Sequence, residues 1–140
     1  MLIKLDMKNA FDHVKLFFLY RVLISFGFSA DFIRLIKACT NRPWIAPLVN
    51  GRPIDFFQAS RGLRQGFPLS PFLYILMAEF LSRKLSAELV AGAIPGIKAA
   101  RGVGSINHAL FVDDSLLLGG ASLNIARAFN GILQNFCLIS

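Results

Sequence analysis

The stretch Phe111-Val112-Asp113-Asp114 decides how the rest of the chain is interpreted. An apolar run, Ala109 to Val112, leads into the two aspartates, and Ser115 to Leu118 follow them. Short apolar runs on both sides of a polar pair predict a strand, a tight turn and a second strand. Two neighbouring carboxylates repel each other, and a divalent cation relieves that repulsion. The pair therefore predicts either a metal site or a simple turn, since Asp is also common in hairpin turns.

Composition and charge limit the class of protein. The chain has 140 residues, of which 55% are hydrophobic and 16% charged, enough for one domain with a buried core. No run of 18 apolar residues and no signal-peptide pattern occurs, so we expect no membrane span and an intracellular protein, nuclear or cytoplasmic and not secreted. Cys39 and Cys137 lack metal-ligand spacing and are expected to be small buried residues. The net charge of +7 favours a polyanionic partner such as nucleic acid.

The first half of the chain predicts a strand, two helices and a ribbon. The strand covers 2–7, and a helix with a buried face at Leu16, Leu19, Tyr20 and Leu23 lies within 14–28. Ser29 is expected to cap the second helix. Its predicted buried stripe is Phe32, Leu35, Ile36 and Cys39. Its predicted polar side is Arg34, Lys37 and Arg42. Asn50-Gly51 between apolar runs is the strongest short hairpin signal.

The second half predicts a loop, a long helix, a hairpin and a last helix. The loop covers 61–71, because it holds two glycines and two prolines. Ser70 as cap and Pro71 at the first position begin the long helix, which runs to about Val90. Short strands follow at 96–99 and 106–112, then the strand after the aspartates, and Ser122 caps the last helix. The pattern predicts one α+β domain over 1–140, with a mainly antiparallel sheet packed by helices on one face.

Three carboxylates are candidates for chemistry. Asp6 ends the first predicted strand, so it meets Asp113 and Asp114 if that strand lies beside the hairpin. Three such groups can hold a pair of Mg²⁺ ions and leave coordination positions for phosphate oxygens. His13 and His108 have no acidic or cysteine partner in sequence and are expected to be surface or packing residues. The sequence has no P-loop, zinc spacing or Ser/His/Asp arrangement.

Three motifs carry a family resemblance. Lys4-Leu5-Asp6-Met7-Lys8-Asn9-Ala10-Phe11-Asp12, Arg64-Gln65-Gly66-Phe67-Pro68-Leu69-Ser70-Pro71 and Phe111-Val112-Asp113-Asp114 resemble motifs A, B and C of reverse transcriptases. The similarity is greatest to non-LTR (LINE-type) retrotransposons, particularly those of plants, and it covers nearly the whole chain. It implies a polymerase-palm-like fold and an incomplete right-hand polymerase, with motifs A to C, the start of motif D after Ala121, and neither fingers nor thumb. It also implies RNA-directed DNA synthesis on an RNA template and DNA primer from deoxynucleoside triphosphates, with two Mg²⁺ ions or Mn²⁺.

The resemblance also implies roles for single residues. Asp6 and Asp113 match the two metal-binding aspartates, and Asp114 matches a third that coordinates less directly. Phe11 matches the aromatic steric gate that rejects a 2′-hydroxyl. Gln65 and Gly66 match the motif B loop, where the backbone approaches template and nucleotide. Arg61 and Arg64 lie in or beside that loop and are either phosphate contacts or solvated loop arginines.

Two positions depart from the family pattern and keep other interpretations open. Phe67 stands where an acidic or small residue is common, and Val112 where Ala is common. A bulky ring in the motif B loop can obstruct the nucleotide. With neither fingers nor thumb, the isolated fragment is itself expected to be inactive. The alternatives are therefore a catalytically inactive retroelement remnant, a basic nucleic-acid-binding module, or an unrelated α+β domain whose Asp-Asp turn is only structural.

Overall fold

The computed structural model describes residues 1–41, 43–98 and 100–140, and over these ranges it is a mixed helix and sheet structure. The predicted polar position of Arg42 and the predicted strand end at Ala99 lie outside the described residues. In chain order the elements are β1 (Leu2–Asp6), α1 (Leu16–Ser25), α2 (Ala30–Thr40), β2 (Trp44–Ile45), β3 (Leu48–Val49), β4 (Arg52–Pro53), β5 (Phe57–Gln58), α3 (Ser70–Val90), β6 (His108–Phe111), β7 (Asp114–Leu118) and α4 (Leu123–Ile139).

A three-stranded antiparallel sheet contains the strands that bear motifs A and C. Its strand order is β1-β7-β6, with β6 and β7 joined by a two-residue turn. Alternate side chains of a strand point to opposite faces. Ile3 and Leu5 therefore pack against the core that the helices supply, while Lys4, Asp6 and Phe111 lie exposed on the other face. The sheet is antiparallel, as expected, and its motif A strand lies next to the motif C hairpin.

The helices supply most of the buried core. Fully buried residues from α1, α3 and α4 meet beneath the sheet, among them Leu19, Leu81 and Phe129. At the far end of α4, the Lys15 Nζ atom donates to the carbonyl oxygen of Leu138 at 2.6 Å. A cation at the C-terminal end of a helix is favourable because unpaired carbonyls there carry partial negative charge. This contact holds the end of α4 against the start of α1.

The expected buried stripe of α2 is confirmed at Ile36 and wrong at Phe32, Leu35 and Cys39. Ile33, Ile36 and Thr40 are buried, whereas Leu35 is 60% exposed and Phe32 is also exposed. One residue is about 100° of helical rotation, and α2 has apolar side chains on both sides. Contacts with α1 select the face: the Tyr20 hydroxyl bonds to Thr40 Oγ1 at 2.9 Å.

The expected cysteine burial and one expected helix cap are also wrong. Cys39 and Cys137 are both exposed, because Cys39 lies on the outward side of α2 and Cys137 follows the buried Phe136 on α4. Ser70 lies inside α3, and its hydroxyl donates to the carbonyl oxygen of Arg64 at 2.7 Å instead of capping.

The other two predicted caps and the predicted hairpin are confirmed. Ser29 Oγ accepts from the Phe32 amide and Ser122 Oγ accepts from the Ile125 amide. β3 and β4 pair around Asn50-Gly51, whose φ values of 51° and 75° are those a tight hairpin requires.

Candidate functional site

The turn between β6 and β7 places the aspartate pair beside the end of β1. Asp6 is the register partner of Asp114, and the Met7 amide donates to the carbonyl oxygen of Asp113 at 2.9 Å. Directly opposed residues of antiparallel strands have Cα atoms about 4.5–5.5 Å apart. The chain therefore meets the condition set from the sequence, that its first strand lies against the hairpin tip.

Val112, the first residue of this turn, has a left-handed backbone. Its φ is +50°, a region that β-branched residues rarely adopt because Cβ approaches the following carbonyl. Such strain persists only where surrounding contacts fix the backbone, and it is concentrated at functional sites. Here the β6–β7 pairing and the Met7 hydrogen bond fix it.

The three carboxylates do not form a closed cluster. Asp6 and Asp113 are exposed, whereas Asp114 is half-buried and its Oδ1 lies 3.1 Å from Lys4 Nζ. Among residues 1–41, 43–98 and 100–140, no group of three or more His, Cys, Asp or Glu side chains is arranged to hold a metal ion. Mg²⁺ is nevertheless commonly bound by one or two carboxylates, with waters and substrate phosphates completing the shell. The donor chemistry of Asp6 and Asp113 suits such an open site.

Tyr74 on α3 is part of this region, although none of the sequence motifs singled it out. Its ring stacks on Phe11 at 4.9 Å, and its hydroxyl donates to the sulfur of Met7 at 3.4 Å. Burial, and secondly the negative charge of Asp113, raise the pKa of the Tyr74 hydroxyl. Tyr74 therefore links the Phe11 ring to the aspartate turn.

The loop before α3 is bound to the segment that follows β1. The Leu63 amide donates to the carbonyl oxygen of Phe11 at 2.8 Å, and Gln65 Nε2 donates to Asp12 Oδ1 at 3.2 Å. Gly62 has a φ of 95°, and a Cβ at this position would lie 3.0 Å from the Asp12 carbonyl oxygen. Only glycine suits this close approach. The fold thus brings the motif B residues against the motif A residues.

Gly66 and Phe67 differ in their surroundings. Gly66 has a φ of 79° and open space where a Cβ would stand, so its backbone is accessible. Phe67 is half-buried, and its amide donates to the carbonyl oxygen of Arg64 at 3.2 Å. The ring that departs from the family pattern is thus partly withdrawn from solvent.

A cavity of about 610 Å³ lies beside Asp6. Its floor is apolar and includes Met77 and Phe136. Its polar lining is mostly basic and includes Asp6, Lys8, His13, Lys15 and Arg61. A concave site with an apolar floor and a few convergent polar groups is typical of small-ligand sites. Arg61 therefore shares a cavity with Asp6.

Two further predicted residues lie outside that cavity lining. Arg64 is exposed, and what the structure shows of it is a backbone role, since its carbonyl receives the Ser70 hydroxyl. His108 is half-buried and hydrogen-bonded to Ser82, which fits its expected packing role. In the described part of the chain, no helix combines the length and apolar character needed to cross a membrane.

The comparison with known families decides what the motifs represent. The family model described as reverse transcriptase (RNA-dependent DNA polymerase) matches residues 1–137. The chain belongs to the reverse transcriptase family. The resemblance inferred from the three motifs is therefore confirmed, and the reading of an unrelated α+β domain is wrong.

Individual relatives agree with this assignment. A Pol polyprotein from a type-2 retrotransposable element of Drosophila melanogaster is 27% identical over 86% of this chain and 11% of its own length. One from a type-1 retrotransposable element of Popillia japonica is 27% identical over 90% of this chain and 20% of its own. An uncharacterized mitochondrial protein of Arabidopsis thaliana is 46% identical over 49% of this chain and 56% of its own. This reverse transcriptase family chain thus spans between about a tenth and just over half of these relatives' lengths.

Proposed function

We propose that the chain is the palm portion of an RNA-directed DNA polymerase that adds deoxynucleotides to a primer by two-metal phosphoryl transfer. The observation that carries the proposal is the register of β1 against β7, which sets Asp6 opposite Asp114 and next to the Asp113 turn. A palm-like sheet needs motif A and motif C side by side. They lie more than 100 residues apart in the sequence, so only the fold can bring them together. Its partners would be an RNA template, a DNA primer and deoxynucleoside triphosphates.

In this proposal Asp6 and Asp113 bind the divalent ions. When bound, Mg²⁺ ions activate the primer 3′-hydroxyl and neutralise the charge that develops on the pyrophosphate leaving group. The residues of the chain hold and orient the reactants. Lys8 and Arg61, on the wall of the cavity beside Asp6, are suited to binding phosphate oxygens.

Phe11 would exclude a 2′-hydroxyl from the sugar site. Its carbonyl oxygen is fixed by the Leu63 amide and its ring rests on Tyr74, so the ring has little freedom to move aside. A fixed ring rejects one additional oxygen by steric contact. Tyr74 supports this role by its position beneath the ring and does not itself need to touch the nucleotide.

The second candidate function is a basic nucleic-acid-binding module or retroelement remnant without catalytic activity. The observation that favours it is the Lys4–Asp114 ion pair, together with the lack of a three-ligand cluster in the described residues. A net charge of +7 would still attract a phosphate backbone.

Primer extension separates the two candidates. If the chain is a competent palm, it extends oligo(dT) on poly(rA) with Mg²⁺, and Asp113→Asn reduces incorporation on the order of 100-fold, since it removes a carboxylate that would hold the ions that neutralise transition-state charge. Asp55→Asn removes the same charge from an exposed position between β4 and β5 and serves as the matched control. Background incorporation by all three proteins, with retained salt-dependent RNA binding, would contradict catalysis and leave the binding module.

A further inference from the structure

Lys4 lies on the same sheet face as the candidate site. It precedes Asp6 by two residues, so both side chains point to the same side of β1. Its register partner is Leu116, while Asp6 is opposite Asp114, which places the Lys4 ammonium diagonally across from the Asp114 carboxylate. The resulting Nζ–Oδ1 distance is 3.1 Å.

The Lys4–Asp114 ion pair contributes little to the stability of the fold. The side chains are 62% and 42% exposed, and exposed ion pairs contribute little to the free energy of folding. The ion pair matters more for metal binding than for folding. A divalent cation near Asp6 and Asp113 would interact with every charge in the same region, including the Lys4 ammonium. An ammonium that pairs with one carboxylate removes that carboxylate from the potential ligands and also repels a divalent ion.

We propose that Lys4 is a positioning residue that holds Asp114 as an internal counter-ion, so that Asp6 and Asp113 alone bind the divalent cation. Lys4 thereby weakens the affinity of the free protein for divalent cations and fixes which carboxylates serve as ligands. This inference rests on the proposed function, because it needs a cation at Asp6 and Asp113.

Mn²⁺ binding tests the inference without requiring activity. The signal of free Mn²⁺ in electron paramagnetic resonance gives the Kd directly. We expect Lys4→Met to lower the Kd for Mn²⁺ about three- to ten-fold, because it releases Asp114 and removes a repulsive charge. The effect should shrink as ionic strength rises, since salt screens exposed charges.

Lys84 provides the matched control. It is exposed on α3, ten residues and therefore about 15 Å along the helix beyond Tyr74. Lys84→Met removes the same charge and should leave the Kd within about two-fold of the wild type, since a charge at that distance is screened. Lys4→Arg retains the charge and should keep the wild-type Kd. Lys4→Glu should lower the Kd for Mn²⁺ more than Lys4→Met does.

The failure of the inference and that of the proposed function are distinguishable. Equal Kd values for Lys4→Met and Lys84→Met would overturn the role of Lys4, and a circular dichroism melt verifies that each variant is folded. The double variant Asp6→Asn/Asp113→Asn addresses the metal site. If it abolishes Mn²⁺ binding while Lys4→Met has no effect, only the inference on Lys4 fails. If it binds Mn²⁺ as the wild type does, the metal site and the proposed function fail together.

Discussion

His108 is held in one tautomer by its neighbours. Asn107 is buried and its Nδ2 donates to the carbonyl oxygen of Leu85 at 2.6 Å, so its Oδ1 is the atom that meets His108 Nδ1 at 2.7 Å. The amide oxygen can only accept, and His108 Nδ1 therefore donates. In the neutral ring Nε2 then accepts from the Ser82 hydroxyl at 2.8 Å.

This cluster makes folding stability depend on pH. Burial lowers the pKa of His108, against a smaller opposing effect of Glu79. Because the unfolded chain binds the proton more readily, stability is complete above the ordinary histidine pKa of 6.5 and falls as pH falls from there through the lowered pKa. Urea unfolding should show a lower midpoint at about pH 5.5 than at about pH 7.5.

His108→Gln provides the comparison for this prediction. It removes the group that titrates and retains hydrogen-bonding capacity, and the exposed His13 is common to both proteins. The wild-type midpoint should therefore fall more than that of the variant over the same pH interval. The same loss in both proteins would show that His108 is not the source of the pH dependence.

At the scale of elements, α2 shows how tertiary contact selects a helix face. Apolar residues occupy two sides of this helix, and periodicity alone favoured Phe32, Leu35, Ile36 and Cys39. Packing on α1 does bury Ile36, but it buries Ile33 in place of Phe32 and Leu35. Between these two sides the sequence pattern offers no decision, because both satisfy the helical repeat.

Two neighbouring positions test this arrangement. Ile36 is 2% exposed and Leu35 is 60% exposed, and both lose a similar apolar side chain on substitution by Ala. We expect Ile36→Ala to lower the free energy of unfolding by about 2–4 kcal/mol, since it leaves a cavity. Leu35→Ala should stay within about 0.5 kcal/mol of the wild type. Chemical denaturation measures both, and equal losses would contradict the observed face of α2.

At the scale of the whole molecule, the segment 44–57 exposes several large apolar side chains that nothing in the described chain covers. Trp44, Leu48 and Phe56 are each about two-thirds exposed, and the strands are two residues long. Contiguous apolar patches on soluble proteins mark interaction sites or aggregation sites. Short ribbons also leave unpaired backbone groups at their edges.

We expect this surface to cause concentration-dependent self-association of the chain. Leu48→Ser/Phe56→Ser should shift the molecule toward monomer in sedimentation velocity, because it removes two of the most exposed apolar groups of the segment 44–57. Leu123→Ser/Phe72→Ser replaces side chains of the same types and similar exposure on helices α4 and α3. If Leu123→Ser/Phe72→Ser yields monomer and Leu48→Ser/Phe56→Ser does not, self-association does not run through the segment 44–57.

The amino-acid sequence was sufficient to predict the family, its three motifs, the hairpin at Asn50-Gly51 and the caps of α2 and α4. These features depend on residues close together in the chain, whose conformational preferences act locally. It also indicated Asp6, Asp113 and Asp114 as one group, although only through the condition that β1 pairs with the hairpin.

The side chains that surround that group follow from tertiary packing and not from local sequence. The contact of Lys4 with Asp114, the position of Tyr74 beneath Phe11, and the buried face of α2 join residues on separate elements. A shift of one residue in strand register, or about 100° of helix rotation, would replace each set of neighbours with another. Local preference does not distinguish these alternatives, and the packing of the complete core does, because only one of them buries the apolar side chains together.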